Sequence, residues 1–175
     1  GSAKMNGGGG GEPLINFVSS NPSQRTIQDK QARIYQQTVD FLWSIKYLRE
    51  QNERYPARYT LFMEDDFTLC KNAMLAMEYF IRKASDYYPD WVSLRVSYGL
   101  NGVIVKTSEL DNIINYYESA LKRYGPGLPH PPDHMIYYYA REQLAADGKR
   151  KLVAYRSNLF SHIGDISSFT GRAAR

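Results

Sequence analysis

Leu61-Phe62-Met63-Glu64-Asp65-Asp66-Phe67 decides how this chain is read. Residues 59–63 form a short run of bulky side chains that breaks into three consecutive carboxylates, and an amphipathic pattern follows. Such a run reads as a buried strand that stops at a functional edge. Burial of its side chains stabilises the strand, and open α/β sheets bind ligands outside the carboxyl ends of their strands. Three adjacent negative charges repel one another, so stability alone does not group them. A hard divalent cation relieves that repulsion and prefers carboxylate oxygen. The triplet points to a metal site holding a phosphorylated substrate; the competing reading is a solvated acidic loop.

The flanks alternate strand and helix. Residues 14–18, after Pro13, read as a short strand. Asn21-Pro22-Ser23 reads as a helix start, a capping side chain followed by Pro in the first turn. Ile27, Ile34, Thr38, Phe41, Ile45 and Leu48 then share one helical stripe as far as about Asn52, and Arg54-Tyr55-Pro56 ends it. Asn72 is expected to cap a second helix with Met74, Met77, Ile81 and Ala84 inward. Pro89 stops it, residues 91–96 and 103–106 read as strands, and 98–102 as the turn between them. Ser108 with Asp111 resembles a capping box for a helix carrying Leu110, Ile113, Ile114, Tyr117 and Leu121. Residues 125–132 form a rigid, Pro-rich loop. Asp133 reads as the cap of the next helix, with Ile136, Ala140 and Leu144 inward and Gly148 at its end. Residues 152–155 are the last expected strand, and 157–164 read as loop. Alternation of this kind makes the chain α/β.

The composition sets bounds. The chain has 175 residues, is 43% hydrophobic and carries a net charge of +4, which describes a globular domain. Its charge is spread without a dense basic run, so nucleic acid is not the expected partner. Cys70 is the one cysteine, which excludes an internal disulfide. No run has the length of a membrane helix and no signal-peptide pattern is present. Residues 1–11, a short scar followed by a glycine run, read as tag and flexible linker, leaving 12–175 as one domain. Fifteen tyrosines suit either half-buried helix faces or a ring-lined cleft.

Three places can carry chemistry. Glu64-Asp65-Asp66 follows a strand. Asp133-His134 opens a helix after the stiff loop, where Asp133 could equally be only a cap. His162 follows the last expected strand, with Gly164 two residues on. Its imidazole suits a transition-type divalent ion, or is simply satisfied by backbone. No Gly-rich phosphate loop and no Cys/His zinc spacing occurs.

Taken together these segments resemble the glycosyltransferases of the N-acetylglucosaminyltransferase IV type and the related enzyme that adds N-acetylgalactosamine to the glycosylphosphatidylinositol (GPI) anchor. The matching parts are the strand ending in Glu64-Asp65-Asp66, the turn Tyr98-Gly99-Leu100-Asn101-Gly102-Val103, the helix start Asp133-His134-Met135-Ile136, and the closing segment from Ser157-Asn158-Leu159-Phe160-Ser161-His162-Ile163-Gly164 to Gly171. Asn158 and Ser161 stand where that family usually has Ser and Gln.

The resemblance implies a GT-A-like three-layer α/β/α sandwich with a mixed sheet, here lacking part of the N-terminal nucleotide-binding half. It implies metal-dependent, inverting transfer of GlcNAc or GalNAc from a UDP-sugar to a glycan or glycolipid acceptor, an N-glycan or the GPI-anchor mannose. Asp66 and His162 would hold Mn²⁺ (or Mg²⁺), and Glu64 and Asp65 would bind the donor or steady the metal ligands. Asp133 would be the base, with His134 the alternative. The native protein would sit in the Golgi lumen, anchored through a segment absent from this chain. Two rival classes stand beside this one: a non-catalytic glycan- or metal-binding fragment of such an enzyme, and a metal-dependent phosphohydrolase.

Overall fold

The computed structural model describes residues 30–163. The expected strand at 14–18, the helix start at Asn21 and the closing residues 164–171 lie outside the described residues. Within them run α1 (Lys30–Arg54), β1 (Tyr59–Phe62), β2 (Phe67–Leu69), α2 (Ala73–Tyr87), β3 (Trp91–Arg95), β4 (Val103–Lys106), α3 (Leu110–Tyr124), α4 (Pro132–Asp147), β5 (Lys151–Ala154) and β6 (Phe160–His162). Short 3₁₀ turns precede α3 (Thr107–Glu109) and follow it (Gly125–Gly127).

Four strands form a mixed sheet in the order β1-β4-β3-β5. Strand β4 runs antiparallel to both neighbours, and β3 and β5 are parallel. Side chains alternate across a strand, so Val103 and Val105 of β4 enter one core and Ile104 the other. The first core packs α1, α3 and α4 on the sheet through Phe41, Ile45, Ile113, Tyr117 and Ile136 against Phe62. The second packs α2 on the opposite face through Met77, Phe80 and Ala84 against Trp91 and Leu94. Helices cover both faces of a mixed sheet, which is the expected α/β class.

Local expectations fail in five places. Residues 160–162, read as loop, form β6, and β6 pairs antiparallel with β2, a strand the amphipathic pattern after the triplet conceals. Asn72 precedes α2 with φ 64°, the left-handed region, and its side chain makes no cap bond. The Ser108/Asp111 capping box does not form: the 3₁₀ turn supplies the helix entry, and Asp111 faces Arg49 at 3.0 Å. Asp133 is not the cap of α4 either. Pro132 takes the first helical position, where its missing N–H costs nothing, so Pro131 holds the cap position and Asp133 lies in the first turn. The inner face of α2 also differs by one step, with Ala73 buried and Met74 62% exposed.

One glycine ties the functional end together. Gly102, at φ 67°, donates its N–H to Phe62 O (2.9 Å) and accepts from Val96 N (2.9 Å). A Cβ there would lie 2.7 Å from Val96 Cγ2 and 3.0 Å from both the Phe160 ring and the Ser97 backbone nitrogen. Only glycine lets β1, the end of β3 and β6 approach so closely.

Candidate functional site

The chain leaves β1 at Phe62, crosses Glu64-Asp65-Asp66 and enters β2. The β2–β6 register sets Phe67 opposite His162, and Ile163 N–H donates to Asp66 O at 2.9 Å. This ladder brings two residues 96 positions apart together, with His162 Nε2 and Asp66 Oδ2 at 3.0 Å. The Phe67 ring packs edge-on against the imidazole, 4.8 Å between centroids, and limits its rotation. Asp66 Oδ1 is buried and, among the described residues, has no hydrogen-bond partner. Leaving a buried acceptor unmade costs about 1–3 kcal/mol, more when it is charged.

Glu64 is held differently. Asn101, 1% exposed, accepts the Glu64 N–H through Oδ1 at 2.8 Å and donates from Nδ2 to Glu64 Oε2. Glu64 as a whole is open to solvent, yet burial is the first cause of its raised pKa. The two agree because the carboxylate end, not the stem, is tied to a fully buried partner. The Asp66 charge adds to the rise, the Asn101 hydrogen bond opposes it, and Asp133 and Asp65 add smaller repulsions.

Asp133 enters from the first turn of α4, so that Glu64, Asp66, Asp133 and His162 line one cavity of about 530 Å³. Gln37, Asp40 and Phe41 of α1 line it too, as do Leu100 and the Pro131-Pro132 pair. Four carboxylates therefore face this space, and among the described residues no Lys or Arg does. Size does not distinguish it, since cavities of about 590 and 610 Å³ lie elsewhere. The first of those is different in charge: its acids Glu53 and Asp111 are both paired with Arg49.

Two expected site residues lie apart. Asp65 is exposed and does not line the cavity. The His134 side chain is 60% exposed, its Nε2 3.8 Å from Asp133 Oδ2. Conversely, Asn101 and Asp40 were not legible as site residues. Asn101 sits between Leu100 and Gly102, where an Asn reads as a turn former, and only its burial reveals the clamp. Asp40 borders the apolar stripe of α1 and reads as solvent-facing.

The donor set fits a divalent ion that keeps places for other ligands. Among the described residues no group of three or more His, Cys, Asp and Glu is arranged to hold a metal. Asp66 and His162 supply two donors, and ions such as Mg²⁺ are commonly bound by one or two carboxylates plus substrate phosphates. A separation of 3.0 Å suits a hydrogen bond and equally suits two adjacent donors in an octahedral shell with bonds of about 2.1 Å. The partnerless Asp66 Oδ1 and the uncompensated negative charge both favour a cation. Comparison with protein-family models, with curated proteins and with solved structures returned no match.

Proposed function

We propose that this chain is a metal-dependent inverting glycosyltransferase of GT-A architecture, moving GlcNAc or GalNAc from a UDP-sugar to a glycan acceptor. The observation that carries the reading is the convergence of Glu64, Asp66, Asp133 and His162 on one cavity. The mixed sheet covered by helices on both faces supports the architecture. The resemblance of the closing segment supports the family, its N-glycan or GPI-anchor acceptor and the Golgi lumen as location. No helix among the described residues is long and apolar enough to cross a membrane.

Asp66 and His162 would hold the Mn²⁺ or Mg²⁺, which supplies Lewis-acid stabilisation of charge on the departing diphosphate. Glu64, fixed by Asn101 at one carboxylate oxygen, offers the other as an acceptor for a donor hydroxyl. Leu100, Pro131 and Pro132 give apolar surface for a sugar ring. In an inverting transfer the acceptor hydroxyl oxygen bonds to the anomeric carbon as the sugar–phosphate bond breaks, and the bond's electron pair leaves with UDP. The hydroxyl proton must go to a base, and Asp133 is the carboxylate on α4 that lines the cavity. His134, turned outward, is the weaker candidate.

The test is release of UDP from UDP-GlcNAc and UDP-GalNAc with Mn²⁺, with and without mannose-containing acceptors. Turnover is expected, and Asp133→Asn should stop transfer while leaving UDP binding intact; full transfer by that variant would remove Asp133 as the base. Failure of the wild-type chain to bind UDP with Mn²⁺ would leave a non-catalytic module. Hydrolysis of simple phosphate esters without acceptor would indicate a phosphohydrolase.

A further inference from the structure

A smaller cavity, of about 220 Å³, lies between α3, α4 and the loop that joins them. On α3, Tyr116, Ala120 and Tyr124 line it at spacings of four, so they share one stripe, and the small Ala120 leaves room between the two rings. On α4, Tyr138 and Glu142 face them, also spaced by four. Buried Leu128 and Met135 make its base apolar.

The rim combines phenols, a carboxylate and one imidazole. Tyr116 Oη lies 3.4 Å from Glu142 Oε1 and donates to it. Burial first, then the Glu142 charge, push the Tyr116 phenol up to about 12, and Tyr124 and Tyr138 contribute to the rise. The three phenols and the carboxylate line the same cavity. The His130 ring packs 4.7 Å from Tyr138 and closes one side. Among the described residues, Glu142 is the one Asp, Glu, Lys or Arg side chain of the lining. The Arg123 guanidinium, which does not line the cavity, lies over the Tyr124 ring at 5.2 Å.

These features select among ligands. An anion meets a carboxylate and the negative faces of aromatic rings. A neutral sugar can bond the phenols and Glu142 but leaves the carboxylate charge without a counter-charge. A cation with an alkyl stem satisfies both parts, charge at the phenol and carboxylate rim and carbon on the apolar base. We propose that the cavity between α3 and α4 binds a small organic cation, an alkylammonium head group with a short apolar stem. The proposal stands independently of the sugar-transfer reading, because it shares no lining residue with the acid cleft.

Choline and its uncharged isostere 3,3-dimethylbutan-1-ol, titrated into the full chain at pH 8 and followed by NMR, provide the test. Choline should shift signals of Tyr116, Tyr138 and Glu142 and bind at least about tenfold more tightly than the isostere, a difference within reach of two ring contacts and one carboxylate. Glu142→Gln, a change at an exposed position, should remove most of that preference while the protein stays folded. Tyr138→Ala should abolish choline binding. Equal binding of choline and isostere, or choline shifts confined to other parts of the chain, would overturn the proposal.

Discussion

Glu109 and Glu64 are both partly shielded carboxylates just beyond strand ends, and they are pushed in opposite directions. Burial pushes Glu109 up, but hydrogen bonds from Tyr139 (2.8 Å) and Asn112 (3.3 Å) together with the Arg150 charge outweigh it and hold the group below its ordinary value. Arg150 in turn donates to Gln143 at 2.7 Å. At Glu64 burial acts the same way, yet the neighbours are Asp66, Asp133 and Asp65, and Asn101 alone opposes them. The first cluster is closed, with a cation and donors assigned to its oxygens. The second is open, with one buried Asp66 oxygen left without a partner among the described residues. A closed network fixes the packing of α4 and β5 on the strand end. An open one leaves negative charge for an incoming ligand to satisfy, which is where functional sites concentrate.

Substitutions can break this contrast, and the largest effect is expected at Asp66. Asp66→Ala should weaken Mn²⁺-dependent UDP binding by about 100-fold or more, measured by calorimetry, because removal even of groups behind metal ligands costs about 10–100-fold. Its stability in urea should change little, since loss of the His162 contact to Oδ2 is offset by removal of the unsatisfied Oδ1 and of the repulsion on Glu64. Glu109→Gln should do the reverse. It should cost about 1–3 kcal/mol in urea unfolding, because Arg150 loses its anion in a largely buried pair, and leave UDP binding unchanged. Glu64→Gln should weaken UDP binding by about tenfold, the scale of one lost charge-assisted hydrogen bond, without loss of stability.

The smallest effect is a difference in pH dependence. The stabilisation from Glu109, whose pKa is lowered, is present above its unfolded value near 4.5 and is lost as pH falls through the folded value. Glu64 has a raised pKa, so the folded state holds its proton more readily than the unfolded state. Its charge destabilises the fold above the folded value, and that penalty disappears as pH falls towards 4.5. Urea midpoints against pH should therefore lose slope below 4.5 in Glu109→Gln and above 4.5 in Glu64→Gln. The same slope lost in both variants would erase the distinction between the two clusters.

Much of this architecture is legible in the residues because it rests on periodicity. The stripe through Ile34, Phe41 and Ile45 and the runs at β1, β3 and β4 all become the elements they predict. What hides are features set by tertiary partners. A three-residue strand such as β6 has too few positions to show alternation, and it exists because β2 offers a ladder. The caps fail for a related reason: Ser108 and Asn72 have the right chemistry, but the preceding backbone arrives as a 3₁₀ turn in one case and in the left-handed region in the other. At the cleft, Glu64, Asp66, Asp133 and His162 stand out because charged residues at element ends are conspicuous. Asn101 does not, since an Asn before Gly is ordinary in a turn and its role depends on a buried position that sequence does not display.

Under the proposed function the Asp66–His162 pair, and not the Glu109–Arg150 cluster, takes a divalent cation. Substoichiometric Mn²⁺ added to isotope-labelled protein tests it directly, because the ion broadens the signals of nuclei close to it. The account predicts early loss of the Asp66, Phe67, His162 and Ile163 amide signals while those of Glu109 and Arg150 persist. Persistence of the first set, or earlier loss elsewhere, would contradict it.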